Sequence, residues 1–294
     1  MLYVFENYNM LINPIKFYRP KTVKEAAELY SSLESVKLLA GGTFVVNNLK
    51  ASKRAGRKTN ANLISLKGID ALKGLVLSKD VLTINSMATI TEIFESSYLK
   101  DNLSVLKNAC STIGTTQIRN MATIGGNIAC RYTWTELPAV LIALEATLNF
   151  TGKNNKPQSI SAEEFFLNSA KTEDILTSIT IKHKPGSSCS YQRFTKSSAI
   201  GIPLGALCIR TDLRSGSFSN TKVVLNTTNS FPQRDRMLEE FLNGQKASDG
   251  VAESSLNNID NDLFEKFIND YQKHMFKISI KNAVKQIIKG LKVK

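Results

Sequence analysis

The chain has 294 residues, enough for two or three small domains, and its 42% hydrophobic content is ordinary for a folded protein. No apolar run approaches the ~20 residues that cross a bilayer, and residues 1–10 lack the basic start and cleavage site of a signal peptide. We therefore predict no membrane span and treat residues 1–9 as an N-terminal extension.

The net charge of +13 is spread along the sequence rather than gathered in one block. Such a charge is compatible with nucleic acid, with an acidic partner or with a basic host proteome. Lysines recur every four residues from Lys273 to Lys289, which on a helix forms one polar stripe beside an apolar face. Because no nucleic-acid module accompanies this pattern, it favours a solvated helix face, and we predict no nucleic-acid partner.

The cysteines and histidines give little support for metal chemistry within the chain. None of the four cysteines pairs with another as C-x-x-C, and only His183 and His274 are available as imidazole ligands. Neither histidine has a neighbouring serine, cysteine or paired carboxylate, so the sequence predicts no hydrolytic residue set. Reduced thiols are typical of a cytoplasmic protein, which is the location we predict.

The order of the predicted elements indicates an α+β protein. A helix is expected over 23–32, capped by Thr22 with Glu25 completing a capping box, and a strand over 36–39. Before residue 183 we further predict a short helix or turn over 44–50, strands over 61–66, 75–77 and 81–84, helices over 91–95, 103–111 and 137–144, a strand over 146–150, a turn over 152–157, a helix over 162–166 and a strand over 175–181. Lys184–Ser188 is the clearest linker. After it we predict strands over 189–195, 204–212 and 221–226 and helices over 236–243 and 263–291, the last interrupted near Lys273.

Two glycine-rich stretches, Leu38–Thr43 and Gln117–Asn127, stand out from this pattern. In each, an apolar run stops at a Gly-Gly pair bordered by a small polar residue. Residues without Cβ let backbone N–H groups come close to a large anion. Neither stretch has the G-x-G-x-x-G of a Rossmann fold or the Gly-Lys-Ser/Thr of a P-loop. Two interpretations stay open at this point: two tight turns of an α+β domain, or two loops that grip one diphosphate.

These stretches resemble the FAD-binding medium subunit of the xanthine dehydrogenase and carbon monoxide dehydrogenase family of molybdenum hydroxylases. Gln117–Asn127 carries the most specific match, and Ala40–Thr43 carries the second. The lesser matches are Asn62–Leu75, Leu82–Ile93, Leu137–Leu148, Phe165–Ile181, Phe194–Leu207 and Phe231–Gly244. The resemblance extends over nearly the whole chain from about Pro14.

The resemblance implies a fold and a domain organisation. An FAD-binding domain of the PCMH or vanillyl-alcohol-oxidase-like type is expected over 10–183, with two α+β subdomains over about 10–66 and 67–183. A smaller α+β C-terminal domain is expected over 189–294. FAD would lie in the cleft between the two domains.

The resemblance also implies cofactor-binding residues, and it implies no catalytic residue and no metal ligand. Gly41, Gly42 and Thr43 would meet the pyrophosphate with backbone amides and a hydroxyl, and the second stretch would form the opposing wall. Glu136 stands where the family carries an acid that reaches the ribityl chain, and a helix N-terminal acid is the alternative. The full set is Leu39, Ala40, Gly41, Gly42, Thr43, Phe44, Ile118, Thr123, Ile124, Gly125, Gly126, Asn127, Glu136 and Lys196.

Several positions depart from the family pattern or stay open. Phe44 stands where family members often have Asp, directly after Gly-Gly-Thr. Gly201 stands where an acid commonly precedes Ile-Pro, and Glu136 replaces the usual Asp. If the missing acid meets the flavin ring, its loss would change the ring's surroundings and redox potential. Arg119 could pair with the phosphates or brace the second stretch through backbone carbonyls.

The function implied is that of an FAD-carrying electron-transfer subunit with non-covalent FAD. Partner subunits would hold the iron–sulfur clusters and the molybdopterin cofactor, and an external acceptor such as NAD would receive the electrons. Two alternatives are a self-sufficient oxidase of the vanillyl-alcohol oxidase type and a non-enzymatic basic binding protein. The oxidase type often tethers its flavin to His or Cys, and no histidine precedes His183.

Overall fold

Three β-sheets, each built from one continuous part of the sequence, organise the part of the chain that the structure describes. The structure is a computed structural model that describes residues 3–4, 12–58, 60–152, 155–167, 174–196, 201–267 and 269–292. Mixed helices and sheets confirm the predicted α+β class. No helix in the described ranges is both long enough and apolar enough to cross a membrane.

The first sheet carries the first glycine stretch at one of its edges. Its strands are β1 (Tyr3–Val4), β2 (Ile15–Tyr18), β3 (Val36–Leu39) and β4 (Ala61–Ser65), with helices α1 (Val23–Ser32) and α2 (Val45–Arg54). The order is β1-β2-β4-β3, and both β2 and β3 run parallel to β4. Thr22 caps α1 as predicted by accepting from the N–H of Glu25, whereas the Glu25 carboxylate accepts from the N–H of Lys21 instead of completing the box at Thr22.

The second sheet is antiparallel throughout, in the order β5-β6-β9-β7-β8. Its strands are β5 (Leu75–Ser78), β6 (Val81–Asn85), β7 (Thr147–Thr151), β8 (Pro157–Ser161) and β9 (Ile175–Lys182). Its helices are α3 (Ile90–Glu95), α4 (Ser104–Thr112), α5 (Thr116–Arg119), α6 (Ile124–Ala129), α7 (Leu137–Ala143) and α8 (Ala162–Leu167). The second glycine stretch therefore lies in the helical connection between β6 and β7.

The third sheet is an antiparallel meander covered by helices. Its strands are β10 (Ser187–Phe194), β11 (Gly205–Arg214), β12 (Ser217–Thr227) and β13 (Gln233–Arg234), followed by helices α9 (Arg236–Leu242), α10 (Asp249–Ser254), α11 (Asn261–Phe267) and α12 (Asp270–Lys292). The apolar face of α12 is buried against this sheet. Its lysine stripe lies outside, where Lys281 and Lys285 contact Glu253, as expected of a solvated helix face.

The structure differs from the predicted elements at several places. The second glycine stretch, expected to be a loop, is helical in α5 and α6. Strand β8 and helix α10 were not predicted, and residues 153–154 of the expected turn lie outside the described residues. The expected linker is shorter, because Ser187 already belongs to β10. The expected helix interruption near Lys273 is wrong, because Lys273 lies inside α12, which begins at Asp270.

The second and third sheets share one hydrophobic core. Every residue of α7 is buried, and this helix packs on β11 and β12. Cys208 and Val224 of the third sheet belong to the same buried cluster as the helices of the second. At the rim, Glu163 pairs with Arg234 at 3.0 Å and with Arg236 at 2.5 Å. This packing fixes the third sheet against the element that carries Glu136.

Candidate functional site

The first glycine stretch turns the chain from β3 into α2 within a few residues. Gly42 has a φ of +75°, in the left-handed region that favours glycine, and its carbonyl accepts from the N–H of Val46 at 3.2 Å. Phe44 occupies the N-cap position of α2 and makes no side-chain cap. In the described part of the chain, the N–H groups of Gly42 and Thr43 donate to no acceptor. This end of α2 therefore keeps donors that a ligand could use.

In the second glycine stretch, the backbone N–H groups of Gly125 and Gly126 already donate to acceptors within the protein. Thr123 caps α6, because its Oγ1 accepts from the N–H of Gly126 at 3.1 Å. The N–H of Gly125 donates to the carbonyl of Ser86 at 2.9 Å. These bonds explain why a Gly-Gly pair folds as helix here, although glycine is a poor helix former. The second stretch consequently offers a ligand shape and side chains rather than free backbone donors.

The two stretches lie in direct contact. A Cβ on Gly41 would stand 1.9 Å from the carbonyl oxygen of Met121, so only glycine fits there. A Cβ on Gly125 would stand 2.6 Å from the carbonyl oxygen of Ser86, which also requires glycine. A Cβ on Gly126 would meet only Thr123 Oγ1 at 3.2 Å and the Cβ of Ala40 at 3.8 Å. Packing within the protein thus explains Gly41 and Gly125, and leaves Gly126 without a comparable reason.

Two buried polar atoms beside the second stretch have no partner. Asn127 Oδ1 and Ser86 Oγ are both buried, and neither atom forms a hydrogen bond within the described residues. Buried polar atoms normally have partners, and those without one call for an explanation. A bound polar ligand at this junction would supply one.

The remaining residues around the stretches have different surroundings. Leu39 ends β3 in register with Ser65 and is partly buried. Ile118 is 40% exposed, whereas Ile124 is fully buried in the core of the second sheet. Arg119 donates to the carbonyls of Ile113 and Gly114 at 3.1 Å each, so it braces the turn before α5. Of the two roles open to Arg119, these bonds support the bracing role.

Glu136 lies at the start of α7, where it is 5% exposed. Its carboxylate is 3.5 Å from Nε of Arg193 on β10, across the junction of the second and third sheets. Burial raises the pKa of Glu136 to about 7, and the attraction of Arg193 offsets only part of this cost. Glu136 occupies the N-cap position of α7 and makes no side-chain cap bond, so its place also agrees with the alternative of a helix N-terminal acid favoured by the helix dipole.

The raised pKa of Glu136 makes the stability of the folded protein depend on pH. Its carboxyl holds a proton more tightly in the folded chain, so the stability it contributes is complete below pH 4.5 and is lost as the pH rises to about 7. Between pH 5 and 8 this lowers the free energy of unfolding by about 2–3 kcal/mol, and we expect Glu136→Gln to reduce that decrease. The free energy of unfolding, measured with denaturant at pH 5 and at pH 8, tests this expectation. Glu240→Gln, at an exposed residue, is the matched control. An identical pH dependence in the Glu136 and Glu240 variants would contradict the assignment.

Lys196 lies apart from the glycine stretches in sequence and surroundings. It is exposed and lines an open cavity of about 450 Å³. Leu204, Thr228 and Tyr271 contribute to the same cavity. Gly201, where the acid is missing, accepts through its carbonyl from the Arg193 guanidinium. Arg193 thus connects Glu136 to Gly201.

Sequence reasoning missed three residues of this region. Arg193 is far from Glu136 in the sequence, and no local pattern marks it as a partner. Tyr132 and Trp134 form an aromatic row with Phe44, with ring centroids 4.6 Å apart for Phe44 and Tyr132 and 5.4 Å apart for Tyr132 and Trp134. Two aromatic residues at a spacing of two, a few residues after the second stretch, were the available signal.

Comparisons with known proteins add to these observations. A family model described as the FAD binding domain in molybdopterin dehydrogenase matches residues 13–183. The chain is 31% identical over 158 residues to the carbon monoxide dehydrogenase medium chain of Hydrogenophaga pseudoflava, covering 53% of each protein. It is 22% identical over 290 residues to the xanthine dehydrogenase FAD-binding subunit of Escherichia coli O157:H7, covering 92% of this chain and 95% of that protein.

A solved structure shares the fold. One chain of the carbon monoxide dehydrogenase from Hydrogenophaga pseudoflava that lacks the Mo-pyranopterin moiety superimposes with a TM-score of 0.82 at 23% identity. The match covers 95% of this chain and 98% of that one, so all three sheets have counterparts in a known arrangement.

Proposed function

Because the chain belongs to the family of FAD-binding domains in molybdopterin dehydrogenases, as its glycine stretches predicted, we propose that it is the FAD-carrying subunit of a molybdenum hydroxylase complex. Relatives that match most of its length or half of it are named as FAD-binding or medium chains of dehydrogenases. One observation carries the proposal: the first stretch, which has free donors, packs against the second at Met121, and beside this contact Gly126 has no packing reason to be glycine.

The residues at this contact fit a pyrophosphate. The N–H groups of Gly42 and Thr43, at the uncapped start of α2, are suited to an anion. Gly126 lets the anion approach the opposing backbone, and Asn127 Oδ1 is available to a hydroxyl or amide donor of the ligand. Thr123 acts as a positioning residue, because its cap holds the first turn of α6 in place.

The bound flavin supplies reversible electron storage. In the proposed role, the FAD held by this chain would receive electrons from iron–sulfur clusters in one partner subunit, and those clusters would receive them from a molybdopterin-binding subunit. An external acceptor such as NAD would take the electrons from the FAD. This chain contributes the binding of FAD, and the pair of Glu136 and Arg193 holds the C-terminal domain against the FAD domain.

We propose the same domain boundaries that the sequence predicted. An FAD-binding domain over 10–183 is followed by a C-terminal domain over 189–294. The three sheets support this division, since the first two lie before Lys182 and the third begins at Ser187. The shared core below α7 means that the two domains act as one body when they bind the cofactor.

The flavin content of the purified protein tests the proposal. We expect denaturation to release FAD from the chain, because the contact between the stretches suits a diphosphate and FMN has a single phosphate. Chromatography of the released flavin against FAD and FMN standards identifies it. Release of FMN, a colourless protein that takes up no added FAD, or flavin that stays attached to the denatured chain would each overturn the proposal.

A further inference from the structure

Three aromatic rings form a row that starts at the first glycine stretch. Phe44 follows Thr43 directly, its ring contacts Tyr132, and the ring of Tyr132 contacts Trp134. Tyr132 is 36% exposed, and the other two rings are partly buried. None of the three belongs to the four hydrophobic clusters found among the described residues. Core packing therefore does not account for this aromatic row.

The backbone under Tyr132 and Trp134 is held in place from both sides. Thr135 Oγ1 donates to the carbonyl of Tyr132 at 2.9 Å, which closes the turn. Thr133 Oγ1 donates to the carbonyl of Thr228 at 2.6 Å, and Asn226 Nδ2 donates to the carbonyl of Thr135 at 2.7 Å. The C-terminal domain thus fixes the turn, so the two rings are presented by a segment with little freedom to collapse.

Arg131 anchors the same segment at its start. Its Nη1 donates to the carbonyl of Phe165 at 2.8 Å, and its guanidinium lies over the rings of Phe165 and Phe231. Its φ of +48° is in the left-handed region, which a non-glycine residue rarely adopts. The anchoring therefore turns the chain sharply just before Tyr132, at a cost that the surrounding bonds offset.

The direction of the row points to one occupant. It begins beside the proposed pyrophosphate site and runs to the turn that is bonded to Thr228, which lines the open cavity with Lys196. A flavin dinucleotide has its isoalloxazine ring on one side of the pyrophosphate. Planar rings gain from offset stacking on aromatic side chains. We propose that Phe44, Tyr132 and Trp134 form an aromatic shelf that stacks on the isoalloxazine ring and helps to hold FAD.

This inference rests on the proposed function and extends it to a specific contact. The shelf replaces the polar residue that the resemblance leads one to expect at position 44 with an apolar surface. Stacking against electron-rich rings favours rapid quenching of flavin fluorescence, and it adds affinity where the uncapped start of α2 offers only backbone donors. The shelf therefore explains why a ring at Phe44 is compatible with cofactor binding.

The test titrates the flavin-free protein with FAD and measures both the dissociation constant and the emission of the bound flavin. Tyr132→Leu keeps apolar bulk and removes the ring, and we expect it to raise the dissociation constant about fivefold and to brighten the bound flavin. Tyr132→Phe keeps the ring and should keep the dissociation constant. Tyr98→Leu, at another exposed tyrosine, is the matched control. Phe44→Leu repeats the test at the end of the row that adjoins Thr43, in case the Tyr132 variant unfolds.

Trp134 is the only tryptophan and so reports on the shelf directly. FMN, which lacks adenine, should change its emission, whereas ADP, which lacks the flavin ring, should not. Ring-deleted variants that match Tyr98→Leu, or an ADP response equal to that of FAD, would overturn the shelf. A protein that binds no FAD at all would instead overturn the proposed function, so the two failures are distinguishable.

Discussion

Gly126→Ala is expected to raise the dissociation constant for FAD about tenfold or more, which corresponds to about 1.4 kcal/mol. The added Cβ would occupy the space through which the pyrophosphate approaches the backbone of α6. Within the protein it would meet only Thr123 Oγ1 at 3.2 Å and the Cβ of Ala40 at 3.8 Å, so the neighbours need give by only a few tenths of an ångström. The free energy of unfolding of the flavin-free protein should stay within about 1 kcal/mol, since alanine is favoured over glycine in helices.

Two variants bracket this prediction. Gly290→Ala, in α12 with open space around it, should change neither FAD binding nor folding by much. Gly41→Ala should lose both FAD binding and the stability of the fold. Its Cβ would overlap the carbonyl of Met121 and push the two stretches apart. Calorimetric titration with FAD and thermal melting of each flavin-free protein separate the two effects. Equal affinity of the Gly126 and Gly290 variants would remove the second stretch from the proposed site.

The second expected result concerns the assembly. The purified chain alone should oxidise no aldehyde, purine or carbon monoxide substrate, although it contains FAD. In the complete complex the same substrates should bleach the flavin absorbance. The physical reason is that a flavin subunit has no centre that activates water for hydroxylation, so electrons must enter from partner subunits held close to the FAD. A basic surface with a net charge of +13 would help to attract acidic partner surfaces.

Affinity purification of the tagged chain from its own cells provides the complex for this comparison. The experiment follows flavin reduction anaerobically after substrate is added, with and without a dye acceptor. A complex loaded with the Gly126→Ala subunit is the matched control, since its partners are unchanged and its flavin content is reduced. Substrate oxidation by the lone chain would favour the self-sufficient oxidase over the subunit role.

The sequence predicted best where the signals are local. The bounds of α1 and β3 agree with the structure residue for residue, because a threonine cap starts the helix and an apolar run ending in glycine stops the strand. Strand β8 was missed because its residues are mostly exposed and show no apolar alternation. It forms only because it pairs with β7 at the edge of the sheet.

The second glycine stretch shows where local reasoning fails. Two consecutive glycines favour a loop by propensity, and the structure makes them helical because bonds from distant residues override that preference. The carbonyl of Ser86, which accepts from Gly125, comes from the end of β6 and is invisible in the local sequence. The same limit applies to Arg193, which meets Glu136 only because β10 packs against the start of α7.

For the candidate site, the sequence could suggest residues whose types carry a signal, and it could not suggest contacts that depend on packing between segments. The glycine pairs and Asn127 could be named because their residue types indicate close approach to an anion. The contact between Phe44 and Tyr132 could not, because it depends on how the first sheet docks beside the helices of the second. A motif fixes chemistry within one segment, whereas docking between segments fixes the rest.

The core shared by the second and third sheets has a consequence for how the protein unfolds. Because Cys208 and Val224 are packed among the helices around α7, the chain on either side of the linker cannot melt separately without exposing the other's apolar surface. Cutting the backbone near Gly186 would leave the two fragments associated. A destabilising substitution in the core of β11 can accordingly lower flavin occupancy although the residue does not contact the flavin. It does so by shifting a single cooperative folding equilibrium toward the unfolded chain.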